Sequence, residues 1–328
     1  MTILGIDEIS YGAGDLASCK RFFGDWGLRL TEENSHALIF ETLDGGRVVV
    51  RDPQHGGLPS AMEPGPTLHQ VVWGMDSAAS LATLRSKLLG APGFVDLGTR
   101  ILCADPMGLS VGFQLSPRRK LDVRGSGANP WGARTRVNQA SPVYERATPI
   151  EIGHVVFFVQ DLDATEAFYA ALGFVTSDRY PGHGAFMRCA ARGGHHDLFL
   201  LRRPGGGGGG NGGGHGGTNG LNHVAFAVRD IHEVFGGGLH ISRCGWATQL
   251  GPGRHPISSA YFWYFKNPAG GLIEYYADDD ELTEAWQPRS FTPGPTVFAE
   301  WAIAGGIDGH TRRQPGMAGD GKFLTEKP

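Results

Sequence analysis

The chain has 328 residues, which is long enough for two domains of ordinary size. It is 41% hydrophobic and 19% charged, as in globular proteins, and its net charge of −4 without a long basic block gives no indication of nucleic-acid binding. No apolar run approaches ~20 residues, and the N-terminal sequence lacks a secretory pattern, so neither a membrane span nor export is expected. The cysteines Cys19, Cys103, Cys189 and Cys244 form no CxxC pair, which predicts reduced thiols in a cytoplasmic protein.

The first predicted elements are a strand and a helix over residues 16–26, closed by Gly27 at a helix C-cap position. The same pattern returns in the second half as IGHVVFFVQDLDATEAFYAALGF, with a helix over residues 162–172 and Gly173 after it. Downstream, LHQVVWGM matches LNHVAFAV, and DPMGLSVGFQL matches NPAGGLIEYYA. The repeat distance of about 146 residues is too long for a solenoid and predicts a duplicated domain.

Three predicted strands of the second half each place one metal-binding side chain in an otherwise apolar run. The strands are IGHVVFFVQD, LNHVAFAVRD and the end of NPAGGLIEYYAD, and the side chains are His154, His223 and Glu274. A polar group in a buried strand is costly unless it is satisfied, and one shared divalent ion would satisfy all three. Two imidazoles and a carboxylate with open positions are typical of the facial triad of non-haem Fe(II) oxygenases.

The first half lacks this ligand set, because Glu8, Gln70 and Gly112 occupy the aligned positions. We therefore expect residues 1–120 to form a scaffold domain without a metal site and residues 149–290 to form the catalytic domain. The polar, Gly/Pro-containing segment 121–148 is predicted to be a linker, and residues 291–328 a C-terminal tail. The glycine-rich run 204–217 is predicted to be a solvent-exposed loop insertion.

A longer motif carries a resemblance to a known family. Residues 251–278 read GPGRHPISSAYFWYFKNPAGGLIEYYAD. Together with the duplicated βαβββ unit, this segment resembles the vicinal oxygen chelate superfamily, and within it the type I extradiol, catechol 2,3-dioxygenase-like enzymes. The resemblance implies an α+β fold of two tandem domains, each of paired βαβββ units. It also implies Fe(II) at His154, His223 and Glu274, with Mn(II) as an alternative because both ions accept N and O ligands in this geometry.

The resemblance also implies catalytic residues. His196, the second His of GGHHDLFLL, matches the family's acid/base histidine, and His195 is the competing choice. His255 and Tyr264 match groups that hydrogen-bond the bound substrate. Tyr180 and Phe186 are candidates for an aromatic pocket or for core packing.

The implied reaction is extradiol (meta) cleavage of a catecholic aromatic by O₂, giving a 2-hydroxymuconic semialdehyde-type product in aromatic hydrocarbon catabolism. The expected partners are a small aromatic diol and O₂, in a homo-oligomer that binds neither nucleic acid nor membrane. Arylacetate-cleaving relatives tend to place an Arg just before GPGRH, whereas this chain has Leu250 there. A neutral catechol therefore fits better than a carboxylated one.

Two alternatives remain at this point. A glyoxalase-like, metal-dependent isomerase would draw ligands from both halves and commonly use two carboxylates. A metal-free binding protein of the same superfamily, such as those that sequester bleomycin, would lack the His/His/Glu set.

Overall fold

The chain contains four successive modules, each of one strand, one helix and three further strands. The structure is a computed structural model that describes residues 2–203 and 218–304. The first module consists of β1 (Ile3–Gly12), α1 (Leu16–Asp25), β2 (Arg29–Asn34), β3 (Ala37–Glu41) and β4 (Arg47–Arg51). After a short 3₁₀ helix (Pro53–His55), the second consists of β5 (Thr67–Met75), α2 (Ala78–Leu88), β6 (Val95–Asp96), β7 (Arg100–Ala104) and β8 (Ser110–Leu115).

The second half repeats this arrangement and then extends it. The third module consists of β9 (Glu151–Val159), α3 (Leu162–Ala171), β10 (Val175–Tyr180), β11 (Gly184–Arg188) and β12 (Leu198–Arg202). The fourth consists of β13 (Gly220–Ala227), α4 (Ile231–Arg243), β14 (Thr248–Arg254), β15 (Tyr261–Lys266) and β16 (Leu272–Ala277). Three short elements follow, namely β17 (Arg289–Ser290), α5 (Pro295–Phe298) and β18 (Trp301–Ala304).

The modules pair into two mixed sheets with the same internal order. The first sheet runs β2-β3-β4-β1-β5-β8-β7-β6, and the second runs β17-β10-β11-β12-β9-β13-β16-β15-β14-β18. In each sheet the two modules meet through antiparallel first strands, β1 with β5 and β9 with β13. The predicted α+β class of paired βαβββ units is thus confirmed, and within the described ranges no helix has the length and apolar character to cross a membrane.

The repeated helix lies where the sequence places it. Asp15 and Asp161 cap α1 and α3 by accepting backbone N–H groups at 2.9 and 3.0 Å. Gly27 and Gly173 follow the two helices with φ of 92° and 105°, a left-handed conformation that glycine adopts without steric cost. Both helices therefore end two residues before the predicted glycine, which follows the C-cap residue.

One buried core joins the two halves. The indole of Trp26, after α1, stacks on the ring of Tyr275 in β16 with centroids 3.6 Å apart, and the Tyr275 hydroxyl donates to the Trp26 carbonyl at 2.7 Å. Trp73 of β5 packs edge-on against Phe174 at 4.9 Å. Trp26 and Trp73 are thus core residues, and this core is shared between the two halves.

The segments that connect or follow the modules differ in how much regular secondary structure they contain. Residues 116–150, all within the described range, form no helix or strand, in the region where a linker is predicted. Part of the expected C-terminal tail is structured, because β18 pairs with β14 in antiparallel fashion. The glycine-rich run 204–217 and the tail after residue 304 lie outside the described residues. The domain boundaries drawn from the sequence stay a prediction.

Candidate metal and catalytic site

Strand register brings the three candidate ligands together in the second sheet. In this sheet β13 lies between β9 and β16, and Ala225 of β13 pairs with His154 on one side and with Glu274 on the other. His223, two residues earlier in β13, pairs with Val156 of β9. Because directly paired residues project from the same face, His154 and Glu274 extend past the small side chain of Ala225 toward His223.

The three side chains converge on one point. His154 Nε2 and His223 Nε2 are 3.2 Å apart, and each lies 3.2 Å from Glu274 Oε2. In a facial arrangement with bonds of about 2.1 Å, neighbouring ligand atoms are about 3.0 Å apart, close to this spacing. Glu274 Oε2 is buried without a hydrogen-bond partner, which is the atom that a cation at this point would satisfy. The residues therefore fit a divalent ion.

The electrostatics of the cluster suit a cation. Burial alone would raise the pKa of Glu274, but its contacts with His154, His223 and His255 hold that pKa well below the usual range, so the carboxylate is ionised. Burial lowers the pKa of His154 and keeps its imidazole neutral. Asn222 Oδ1 accepts from His223 Nδ1 at 2.7 Å, which leaves His223 Nε2 unprotonated and directed at the cluster. An ionised Glu274 and a neutral His154 are the protonation states that metal binding needs.

The His195-His196 pair forms part of a buried hydrogen-bond chain. Asp178 Oδ2 lies 2.9 Å from His195 Nε2, and His195 Nδ1 lies 3.1 Å from His196 Nδ1. Arg289 donates to the same Asp178 carboxylate at 2.6 Å, and Asp178 and His195 are fully buried. The His196 ring is 4.2 Å from the His154 ring. His196 thus stands beside a candidate ligand, whereas His195 lies behind it and connects it to Asp178.

This chain selects one tautomer of each histidine. Asp178 accepts the proton on His195 Nε2, which leaves His195 Nδ1 as the acceptor in its 3.1 Å contact with His196 Nδ1. His196 then donates its Nδ1 proton to His195 and keeps a free lone pair on Nε2. Burial, followed by the positive charges possible on His154 and His195, holds the pKa of His196 well below its usual range. The geometry therefore presents His196 as a neutral base with Nε2 available.

His255 and Tyr264 form a second polar group, near the other carboxylate oxygen of Glu274. His255 Nδ1 donates to the Phe298 carbonyl at 2.6 Å, so its Nε2 accepts from the Tyr264 hydroxyl at 3.0 Å. His255 Nε2 is also 3.6 Å from Glu274 Oε1. Burial, followed by the charge of Glu274, raises the pKa of Tyr264 well above its usual value, so its hydroxyl stays a donor.

Apolar side chains surround these polar groups. Phe186 stacks on Phe199 with ring centroids 3.8 Å apart and lies 5.2 Å from the His196 ring. Phe186 and Phe199 belong to a buried cluster that includes Tyr180. This burial is compatible with both roles predicted for Tyr180 and Phe186, lining a pocket or packing in the core. On the other side Leu250 pairs with Tyr264 across β14 and β15 and is 8% exposed. The surroundings of the site are therefore largely apolar.

In the first sheet, the positions equivalent to the three candidate ligands make other interactions. Its register is equivalent, since Val72 pairs with Glu8 and with Gly112, as Ala225 does with His154 and Glu274. Arg100 Nη1 lies 2.8 Å from Glu8 Oε1, and Gln70 donates to a serine hydroxyl at 2.9 Å. Arg100 and Arg47 thus neutralise the Glu8 carboxylate.

Sequence reasoning missed several contacts of the site. Three of these contacts orient an imidazole directly: Asp178 holds His195, Asn222 holds His223, and the Phe298 carbonyl holds His255. The fourth is Arg289, which binds Asp178. Only Asn222 had a usable signal, as the amide directly before His223. Asp178, Arg289 and Phe298 reach the site through tertiary structure, and their sequence neighbourhoods resemble ordinary surface strands and loops.

Known proteins resemble this chain over part of its length. The model of the Glyoxalase/Bleomycin resistance protein/Dioxygenase superfamily matches residues 151–275. Metapyrocatechase 2 of Cupriavidus necator is 30% identical over 196 residues, which are 59% of this chain and 56% of that protein. The aligned region thus spans little more than half of the relative's length.

Solved structures show the same fold over nearly the whole chain. The Mn(II)-bound glyoxalase from Novosphingobium aromaticivorans superposes with a TM-score of 0.69 at 22% identity, covering 96% of this chain and 97% of that one. The 2,3-dioxygenase LapB from Pseudomonas sp. KL28 superposes with a TM-score of 0.65 at 18% identity, covering 89% and 98%. At these identities the likeness establishes the fold alone. The family model thus matches residues 151–275, and the solved structures share the fold of both halves.

Proposed function

We propose that this protein catalyses extradiol cleavage of a catecholic aromatic by O₂ at one Fe(II) ion, with Mn(II) as the alternative metal. The observation that carries the proposal is the convergence of His154 Nε2, His223 Nε2 and Glu274 Oε2 at mutual distances of 3.2 Å. The similarity to Metapyrocatechase 2 supports the same reaction class. The expected product is of the 2-hydroxymuconic semialdehyde type, which contains every atom of the diol and both atoms of O₂.

The three ligand residues would hold the ion and leave open positions for reactants. A bound divalent ion supplies Lewis-acid stabilisation of a deprotonated diol and a common meeting point for the diol and O₂. Glu274 contributes the one negative charge of the set, while Asn222 fixes the tautomer of His223.

His196 is the proposed acid/base residue. Its Nε2 lone pair accepts a proton from a diol hydroxyl, and its Nδ1 proton stays hydrogen-bonded to His195. The Asp178 carboxylate stabilises the resulting positive charge through His195, and the proton can later return from Nε2 to a product oxygen. His195 and Asp178 therefore act as positioning residues behind His196.

Tyr264 and His255 are proposed to bind the substrate oxygens. Tyr264 is 3% exposed, and its hydroxyl can turn from His255 Nε2 toward an oxygen atom at the site. His255 stays oriented because its Nδ1 donates to the Phe298 carbonyl. A positioned donor of this kind contributes less to the rate than the proton-transfer group.

A neutral catechol is the proposed substrate class. Leu250 places an aliphatic side chain where a carboxylated substrate would need a cation. The nearby guanidinium of Arg254 is 2.5 Å from Glu300, and that of Arg289 is bound to Asp178. Alkylated, halogenated or bicyclic catechols match the apolar surroundings formed by Phe186 and Phe199. We further propose a cytoplasmic, homo-oligomeric enzyme of aromatic catabolism.

The isomerase alternative has less support from the site. All three ligand atoms belong to the second sheet, and the equivalent carboxylate of the first, Glu8, is bound by Arg100. The binding-protein alternative leaves the convergent His/His/Glu set without a role. The deciding experiment incubates Fe(II)- or Mn(II)-loaded protein with catechol or 3-methylcatechol and O₂, and separately with a glutathione hemithioacetal. A yellow product with one O₂ consumed per diol supports the proposal, whereas turnover of the hemithioacetal alone would establish the isomerase.

A further inference from the structure

A second cluster of metal-binding side chains lies where the two halves meet, apart from the site above. It consists of Asp25 at the end of α1 and of His240 and Cys244 at the end of α4, with one ligand atom of each within 4.8 Å of the others. His240 and Cys244 are four residues apart and therefore share one face of the helix. All three side chains are partly buried.

We propose that Asp25, His240 and Cys244 form a second divalent-cation site, selective for thiophilic ions such as Zn²⁺, that links α1 of the first half to α4 of the second. Thiolate, imidazole and carboxylate are the three side-chain ligands of zinc, and three of them leave a fourth position for water. The site has no part in the proposed ring cleavage.

The geometry supports this assignment. His240 Nε2 and Cys244 Sγ are 3.6 Å apart. In a tetrahedral centre with Zn–S of about 2.3 Å and Zn–N of about 2.05 Å, sulfur and nitrogen stand about 3.6 Å apart. The Trp246 indole donates to Asp25 Oδ2 at 2.8 Å and so orients the carboxylate, as outer partners of metal ligands do.

The cluster offers two negative charges to a divalent ion. The Asp25 carboxylate and a Cys244 thiolate would neutralise its two positive charges, while Arg21 and Arg146 lie near enough to favour the thiolate form of Cys244. Both α1 and α4 end at the cluster, and helix C-termini favour cations. Burial and then the charge of Asp25 raise the pKa of the Cys244 thiol, so the ion must displace its proton into solvent.

A thiol–imidazole hydrogen bond between Cys244 and His240 would have a similar distance, so the test must detect sulfur bonded to metal. The metal-free full-length protein is titrated with Co²⁺ under anaerobic, thiol-free reducing conditions, and the thiolate-to-Co(II) charge-transfer absorption is recorded. Neither the His154–His223–Glu274 cluster nor the exposed His36–Asp52–His55 cluster contains sulfur, so neither can produce this band. The readout is therefore independent of the catalytic proposal.

The proposal expects the band in the wild-type protein and its removal by added Zn²⁺. Cys244→Ser should abolish the band while ring-cleavage activity remains, and His240→Ala should raise the Co²⁺ concentration needed by more than tenfold. The matched control is His154→Ala, which should lose the catalytic metal but keep the band. A wild-type protein without the band at saturating Co²⁺, or a band that persists in Cys244→Ser, would overturn the proposal.

Discussion

Replacing His196 by Asn separates proton transfer from metal and substrate binding. The Asn side chain removes the Nε2 lone pair but can still hydrogen-bond to His195, which lies 3.1 Å from His196 Nδ1. Neither His196 nitrogen is among the convergent ligand atoms, so iron content should be unchanged. Anaerobic catechol affinity should stay within a few-fold, because the diol binds through its two oxygens.

Turnover with O₂ should fall by roughly 10²–10⁴-fold in this variant, the range for loss of a positioned acid or base. That loss corresponds to about 3–5 kcal/mol of transition-state stabilisation. His195→Asn is the matched control. It interrupts the contact with Asp178 but leaves the His196 imidazole in place, so we expect a smaller loss of about 10–10²-fold.

Iron content, anaerobic catechol affinity and turnover should be measured on the same preparation of each variant. If His196→Asn turns over normally while His195→Asn does not, the acid/base residue is His195. If both variants are fully active, the proton-transfer role lies elsewhere, and His255 is the next candidate.

Three further predictions concern other parts of the molecule. Tyr264→Phe removes one hydrogen bond and should lower turnover by about tenfold at unchanged iron content, and a larger loss than in His196→Asn would reverse the assigned roles. Gln70→Ala should leave turnover within a few-fold, whereas loss of iron would indicate a site shared by both halves. Burial raises the pKa of Asp105 to about 6, so the folded protein keeps a proton there that the unfolded chain releases near 4. Stability should therefore fall by up to about 3 kcal/mol as pH rises from 4 to 6, and chemical denaturation of Asp105→Asn should show a flatter profile in that window.

The fold was predictable where the sequence repeats itself. Aligning the two halves identified α1 and α3 and the glycines that follow them. The alignment also matched Glu8 of the first half with His154 of the second, and the two residues occupy equivalent strand registers in the structure. The residue pattern did not identify α2 or α4. In α4, Gly237 and Gly238 lower helix propensity, yet a Cβ at Gly238 would come within 2.0 Å of the Trp263 ring. Close packing against another element, which a single sequence does not reveal, thus outweighs local propensity.

The candidate site was predictable to the extent that its residues lie within motifs. His154, His223 and Glu274 come from strands with equivalent partners in the repeat, and the structure brings them together, while their roles stay a prediction. Asp178 and Phe298 could not be found, because their contacts join segments far apart in the chain. The sequence patterns also did not connect His240 with Cys244, which follows one helical turn later in the unpredicted helix α4.

The most direct test of the account is iron analysis together with catechol turnover for His154→Ala, His223→Ala and Glu274→Ala. His183→Ala, which removes an exposed imidazole away from the cluster, serves as the control. We predict that each of the three variants, after loading with Fe(II) and removal of free metal, loses both bound iron and turnover, while the control keeps both. Full iron occupancy with normal turnover in any one of the three would contradict the proposed metal site.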